Sequence, residues 1–229
     1  MMFNGFCAES FLFLDALALN NTQDFFAANR GAYLAHVREP MLALGEEFAP
    51  IMRAIDANLD TRPQKAIARI NRDTRFSKDK SPYRDHLWMT WKPAGQRAME
   101  APAFFVSIER DGVAFGMGMY APKPALFRPI RQQMVLRPSA FAEVIAPILA
   151  SQWLELQGES YARPTAEAAG APPELLPWIN MKSFYVMGQI PVDARVFGRD
   201  MVDILRQAYQ DCTPLYRYFL ACLPQGDIV

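Results

Sequence analysis

Guanidinium and ammonium groups crowded onto one short segment make a receiver for phosphate or carboxylate. Arginine forks grip two oxygens at once, and lysines add point charges. Between Arg69 and Arg84 the chain carries six cations, Arg69, Arg72, Arg75, Lys78, Lys80 and Arg84, against two carboxylates, Asp73 and Asp79. Thr74, Ser77 and Ser81 add hydroxyl donors, and Tyr83 adds an aromatic ring. Two chemistries fit this composition. Either the stretch binds a small anion, or its carboxylates and the acids of neighbouring helices pair with the cations and staple the loop internally. The interleaved Phe76, Pro82 and Tyr83 argue for packing over a solvated charge run. Sequence alone leaves open a pocket, an internal staple and a contact for a protein or nucleic-acid partner.

Catalysis has weaker support. Asp73 or Asp79 can serve as a general base and Ser77 or Tyr83 as a nucleophile or acid, but no spacing marks a triad. His36 and His86 form no metal-ligand pattern with Cys7, Cys212 or Cys222, so neither a metal nor a disulfide framework is expected. His36 is expected on an exposed helix face and His86 as a hydrogen-bonded strand residue. A Walker loop and a dinucleotide fingerprint are absent, and Gly116-Met117-Gly118 lies within a strand pattern. No cofactor is expected, and whether the protein is an enzyme stays open.

The 229 residues have zero formal net charge, distributed unevenly: −5 over 1–60, +9 over 61–137 and −4 over 138–229. A cationic block between two acidic ones favours a focused anion site or internal pairing over adhesion to polyanions. Aromatic residues near the basic stretch, Phe76, Tyr83, Trp88 and Trp91, are the features a single-stranded nucleic acid would use, but the acidic flanks oppose a long polyanion. The first ten residues lack a basic segment followed by an apolar core, and no apolar run approaches about eighteen residues. The expectation is a soluble cytoplasmic protein with no membrane partner.

The elements that must position the basic stretch follow from periodicity. Residues 11–19 are apolar almost all round, as in a short buried helix ended by Asn20-Asn21. Thr22 is placed to cap the next helical region, which Phe26, Tyr33, Val37, Met41, Leu44, Phe48, Ile51 and Ile55 continue at helical intervals, with Pro40 kinking or restarting it. Residues 73–83 have no apolar period and read as an irregular, ordered loop. Leu87, Met89 and Trp91 alternate as a strand. Asp111-Gly112 joins 103–110 to 113–120 as a hairpin. Its register puts Phe104, Val106, Ile108, Phe115, Met117 and Met119 on one face. The other face is left low by Gly116 and Gly118, open to a ring, a helix, a ligand or the Phe105 side chain.

Helices are expected from Ala125 to about Leu136, with Arg128 and Arg131 projecting toward the cationic patch, and from Pro138 to about Gln152. A loose connection covers 158–177, and a strand covers 184–190. The C-terminal helical region restarts at Thr213-Pro214. Strands in the middle and helices at both ends indicate a single α+β domain over 1–229, an antiparallel sheet with a central hairpin packed against N- and C-terminal helices.

The stretch from Arg72 to Tyr83 also resembles the signature of an uncharacterised family found in bacteria and fungi, domain of unknown function number twenty-four sixty-one. The resemblance extends through Asn20-Asn21, Phe25-Phe26, Asn29-Arg30, Pro102 to Phe105, Gly116, Gly118, Arg131, Lys182-Ser183-Phe184 and Pro214-Leu215. One departure is visible: of the basic, proline-containing segment that many members carry before the Lys-Ser-Phe strand, only Arg163-Pro164 is present. The resemblance implies membership but no activity. The cation excess makes a small phosphorylated or carboxylated molecule the expected ligand. Its site is drawn from Arg69, Arg72, Asp73, Arg75, Ser77, Lys78, Asp79, Lys80 and Tyr83, with Arg131 as a distant contributor.

Overall fold

Thr22 accepts the backbone N–H of Phe25 at 3.2 Å and opens helix α2 (Gln23–Ala28), with Asp24 in its first turn where a carboxylate meets the helix dipole. Helix α1 (Ala8–Leu19) precedes it and ends at Asn20. The apolar character of α1 is not fully buried: Phe11, Phe13, Leu14 and Leu17 face the core, while Leu12 and Leu19 are exposed. Helix α3 (Arg30–Tyr33) runs into a single π-turn (Leu34–Arg38) and then α4 (Glu39–Ile55). Pro40 explains this change of winding. It has no N–H to give the His36 carbonyl, and Glu39 N–H bonds Leu34 one residue further back than in an α-helix.

The computed structural model describes residues 2–75, 78–97, 99–120, 122–168 and 170–223. After α5 (Pro63–Ala66) come strands β1 (Leu87–Trp91), β2 (Ala103–Glu109) and β3 (Gly112–Met119), helices α6 (Pro124–Leu136) and α7 (Pro138–Ala150), and strand β4 (Glu155–Gln157). Helix α8 (Leu176–Ile179), strand β5 (Phe184–Pro191) and helix α9 (Asp200–Cys222) complete the chain. The strands form one antiparallel sheet in the order β1-β2-β3-β5-β4, and the fold is α+β. β4 is paired to β5 with Leu156 opposite Val186. At three residues it is too short to show an alternation in sequence.

The chain divides into two compact units. The first comprises Met1–Trp91, Phe105–Phe115 and Gln189–Arg206, the second Lys92–Phe104, Gly116–Gly188 and Gln207–Val229. Aromatic packing dominates the core of each. In the first, Phe26 contacts Tyr33 at 5.2 Å and Phe48 contacts Trp91 at 6.0 Å. Its N-terminal segment is clamped by Arg199, which donates to the Phe3 carbonyl at 2.8 Å, while Glu47 accepts the Phe3 N–H at 3.0 Å. In the second, Phe104 contacts Tyr216 at 4.9 Å and Phe184 contacts Phe219 at 4.8 Å.

The hairpin residues expected in the core, from Phe104 to Met119 on alternating positions, are fully buried. Gly116 and Gly118 lie beside β5, the neighbouring strand of the sheet, whose backbone approaches both closely. A Cβ on Gly116, whose φ is +154°, would lie 2.1 Å from the Val186 carbonyl oxygen, and one on Gly118 would lie 2.4 Å from that of Phe184. Helix α9 does not restart at Thr213-Pro214. It continues through Pro214, with the Thr213 hydroxyl bonded to the Tyr209 carbonyl at 2.7 Å and Leu205, Cys212, Leu215 and Phe219 buried on one stripe. Burial of that stripe outweighs the one helix bond the proline removes.

Candidate functional site

The basic signature is held by its two ends. Arg72 N–H bonds the Pro82 carbonyl and Arg84 N–H bonds the Ile70 carbonyl, each at 2.9 Å, around an antiparallel bridge between Asn71 and Tyr83. Asn21 completes this closure from the α1–α2 junction. Its side-chain amide donates to the Tyr83 carbonyl and accepts the Tyr83 N–H, both at 3.0 Å, as a neighbouring strand would. The Tyr83 ring, 8% exposed, stacks on Phe26 at 4.2 Å with an interplanar angle of 17°. Tyr83 is therefore an anchor of the loop.

Between these ends the charges separate into local pairs. Arg75 donates to both oxygens of Asp73, at 3.0 and 2.7 Å, from a side chain that is 77% exposed. The Arg75 guanidinium, followed by its backbone N–H, holds the Asp73 carboxyl down to about 2. Arg72 meets Asp79 at 3.2 Å and the Tyr83 carbonyl at 3.4 Å. Asp79 is lowered first by the Ser81 hydroxyl and backbone N–H and then by Arg72. Lowering the pKa of a carboxylate makes it a poorer proton acceptor, which weighs against Asp73 or Asp79 as a general base. Lys80 donates to the Thr74 carbonyl at 2.8 Å, and Lys78 is exposed. Phe76 and Ser77 lie outside the described residues.

Arg69 behaves differently from the rest of the signature. It lines a cavity of about 580 Å³ together with Arg30, Arg38 and Lys65. Phe26 and Tyr33 provide aromatic wall, Gln64 and Asn71 neutral polar groups, and no carboxylate is among the lining residues. Among the described residues, none of these four cations is paired with a carboxylate. The sequence signal identified Arg69 alone. Arg30 and Arg38 sit on the helical segment and π-turn some thirty to forty residues earlier. A second cavity, of about 500 Å³, is lined by Asp15, Asp85, His86, Glu109, Arg110 and Asp111. There Arg110 pairs with Asp15 at 2.8 Å and His86 bonds Asp85 at 3.1 Å.

Arg131 is not an exposed contributor to a cationic patch. It belongs to the buried stripe of α6 and is 4% exposed. Its guanidinium donates to the Ile179 carbonyl at 3.0 Å and the Met181 carbonyl at 2.5 Å, and lies over the rings of Phe127 and Tyr161 at 4.6 and 5.1 Å. Two carbonyls near the end of α8 and two π faces replace its water, so the residue faces inward despite its charge. Burial lowers its pKa. His36 also departs from expectation: it is half-buried, and its Nδ1 lies 3.5 Å from the Cys7 thiol.

Together these features define an α+β protein whose polar signature loop is closed against its N-terminal helices beside a cavity lined by cations. The chain belongs to the family described as Conserved hypothetical protein (DUF2461), which it matches over residues 9–218. No curated protein matches it. Among the described residues, no helix is long and apolar enough to cross a membrane.

Proposed function

We propose that the protein binds a small phosphorylated or carboxylated ligand in the cavity formed by Arg30, Arg38, Lys65 and Arg69. The observation that carries this reading is four cations around about 580 Å³ with no lining carboxylate. That volume is in the range of small-molecule sites. Three arginine forks and one ammonium suit an anion with several oxygens, and the rings of Phe26 and Tyr33 offer a flat apolar surface to the remainder of the ligand. Cations gathered in a cavity, and not in a stripe, favour a small ligand over nucleic acid. Three free thiols suit a reducing compartment, and we place the protein in the cytosol.

Beyond Arg69, the signature supports the second reading, an internal staple, because Arg72 and Arg75 are paired with Asp79 and Asp73. Cavity and staple then coexist in one segment. Heat-denaturation midpoints across inorganic phosphate, nucleoside phosphates, sugar phosphates and organic acids test the ligand reading. A ligand at one hundred times its Kd should add about 2.7 kcal/mol to stability. At least one member of the panel is expected to raise the midpoint of the wild type and not that of an Arg38→Ala, Arg69→Ala double variant. Equal shifts in both proteins, or none in either, would remove the proposal.

A further inference from the structure

Cys7, Glu9 and His36 converge in the first unit, although 29 residues separate the thiol from the imidazole. Their convergence follows from local chemistry. Cys7 is the N-cap of the twelve-residue α1, and its backbone N–H bonds the Ser10 hydroxyl at 3.2 Å. That fully buried hydroxyl in turn donates to the His36 carbonyl at 2.5 Å. The His36 carbonyl is available for this bond because Pro40, the residue that would satisfy it in an α-helix, has no N–H. The π-turn and the α1 cap are thus tied by one serine. The Cys7 Sγ and His36 Nδ1 atoms are left 3.5 Å apart, and one ligand atom from each of the three residues lies within 4.8 Å of the others.

Thiolate, imidazole and carboxylate from two elements are the donors that a zinc-like ion takes. With Zn–S of about 2.3 Å and Zn–N of about 2.0 Å, a tetrahedral angle separates sulfur from nitrogen by roughly 3.5 Å, and the observed separation is 3.5 Å. We propose that Cys7, Glu9 and His36 bind a thiophilic divalent transition-metal ion, Zn²⁺ foremost, through three protein ligands. π-turns of the kind that carries His36 recur at functional sites. A thiolate ligand selects against Mg²⁺ and Ca²⁺, which prefer all-oxygen sites. A three-ligand site keeps a fourth position for water or another small ligand. Its residues are distinct from the four cations of the anion cavity, so the two proposals stand or fall separately.

Titration of the chelator-stripped full chain with Co²⁺ tests this site. A near-ultraviolet thiolate-to-cobalt band should saturate at one equivalent and disappear when Zn²⁺ is added. Cys7→Ser should abolish the band, and His36→Gln and Glu9→Gln should each weaken binding by about tenfold or more. Zn²⁺ should also protect Cys7 from alkylation in the wild type and not in His36→Gln. Circular dichroism identifies any variant that fails to fold. If Cys7→Ser is lost in this way, the His36→Gln affinity and the alkylation readout carry the test. Absence of the band in the wild type, or its full retention in Cys7→Ser, would overturn the proposal, since Cys212 and Cys222 would then be the only thiols able to produce it.

Discussion

Arg69, Arg72 and Arg75 follow one another at three-residue intervals, yet their guanidinium groups end in three environments. Arg69 lines the cavity, Arg72 bridges Asp79 and the Tyr83 carbonyl, and Arg75 grips Asp73 at the surface. The Asp73 pair makes a direct pH prediction. Its carboxyl is depressed from 3.8 to about 2, so its contribution to stability is present above about pH 4 and is lost as pH falls toward 2. Carboxyl-detected NMR should place the Asp73 midpoint near 2 in the wild type and higher in Arg75→Ala, which loses the guanidinium but keeps the backbone N–H bond. Exposure of both side chains means that Arg75→Ala should leave the neutral-pH denaturation midpoint almost unchanged. Asn21 presents the opposite case, because both of its bonds go to the backbone of the largely buried Tyr83. Asn21→Ala should cost about 1–3 kcal/mol in urea denaturation, and an undisturbed midpoint would argue that the loop closes without it.

At the scale of elements, two buried polar groups hold secondary structure in place. Ser10→Ala removes the buried hydroxyl that donates to the His36 carbonyl and should destabilise the chain by about 1–3 kcal/mol, read from the same denaturation curves. Arg131→Met leaves two carbonyls near the end of α8 without their charged donor and should cost about 2–4 kcal/mol. It should do so without changing anion affinity, because neither Arg131 nor the Ile179 and Met181 carbonyls it holds line the cavity.

The elements also show where sequence was readable. Thr22 as cap, a hairpin signalled by Asp111-Gly112 and the Leu87–Trp91 alternation rest on local rules, and all three elements are present. The hairpin, however, turns at Arg110-Asp111, and Gly112 is already the first residue of β3. Arg131 departs from its expected place because helical spacing sets a residue on a face but carries no sign of the carbonyls and rings that meet it there. The α9 proline was misread as a restart because a local breaker was weighed without the buried stripe on either side of it. Arg30, Arg38 and Lys65 carry no spacing signal at all. Their grouping with Arg69 depends on the route of the chain through α3, the π-turn and α5.

Across the whole molecule, the three thiols differ in access. Cys212 is fully buried within α9, and burial pushes its pKa well above that of an ordinary thiol. Cys7 and Cys222 are half-buried. A thiol-reactive dye should therefore modify Cys7 and Cys222 in the native protein and reach Cys212 only on unfolding. Mass mapping of labelled peptides distinguishes this from uniform reaction. The neutral overall charge likewise conceals a division of labour. The cations of the middle third supply both a staple and one side of a cavity, while the acidic N-terminal third contributes Arg30 and Arg38 to the same cavity.

The most direct test of a cation-lined ligand site is calorimetric titration of the full chain with inorganic phosphate and a nucleoside monophosphate at low and high salt. The expected result is one site whose affinity falls with ionic strength, is at least about tenfold weaker in Arg38→Ala, Arg69→Ala, and is unchanged in Arg75→Ala. Binding that is equal in the wild type and the double variant, or weakened only by Arg75→Ala, would contradict the site.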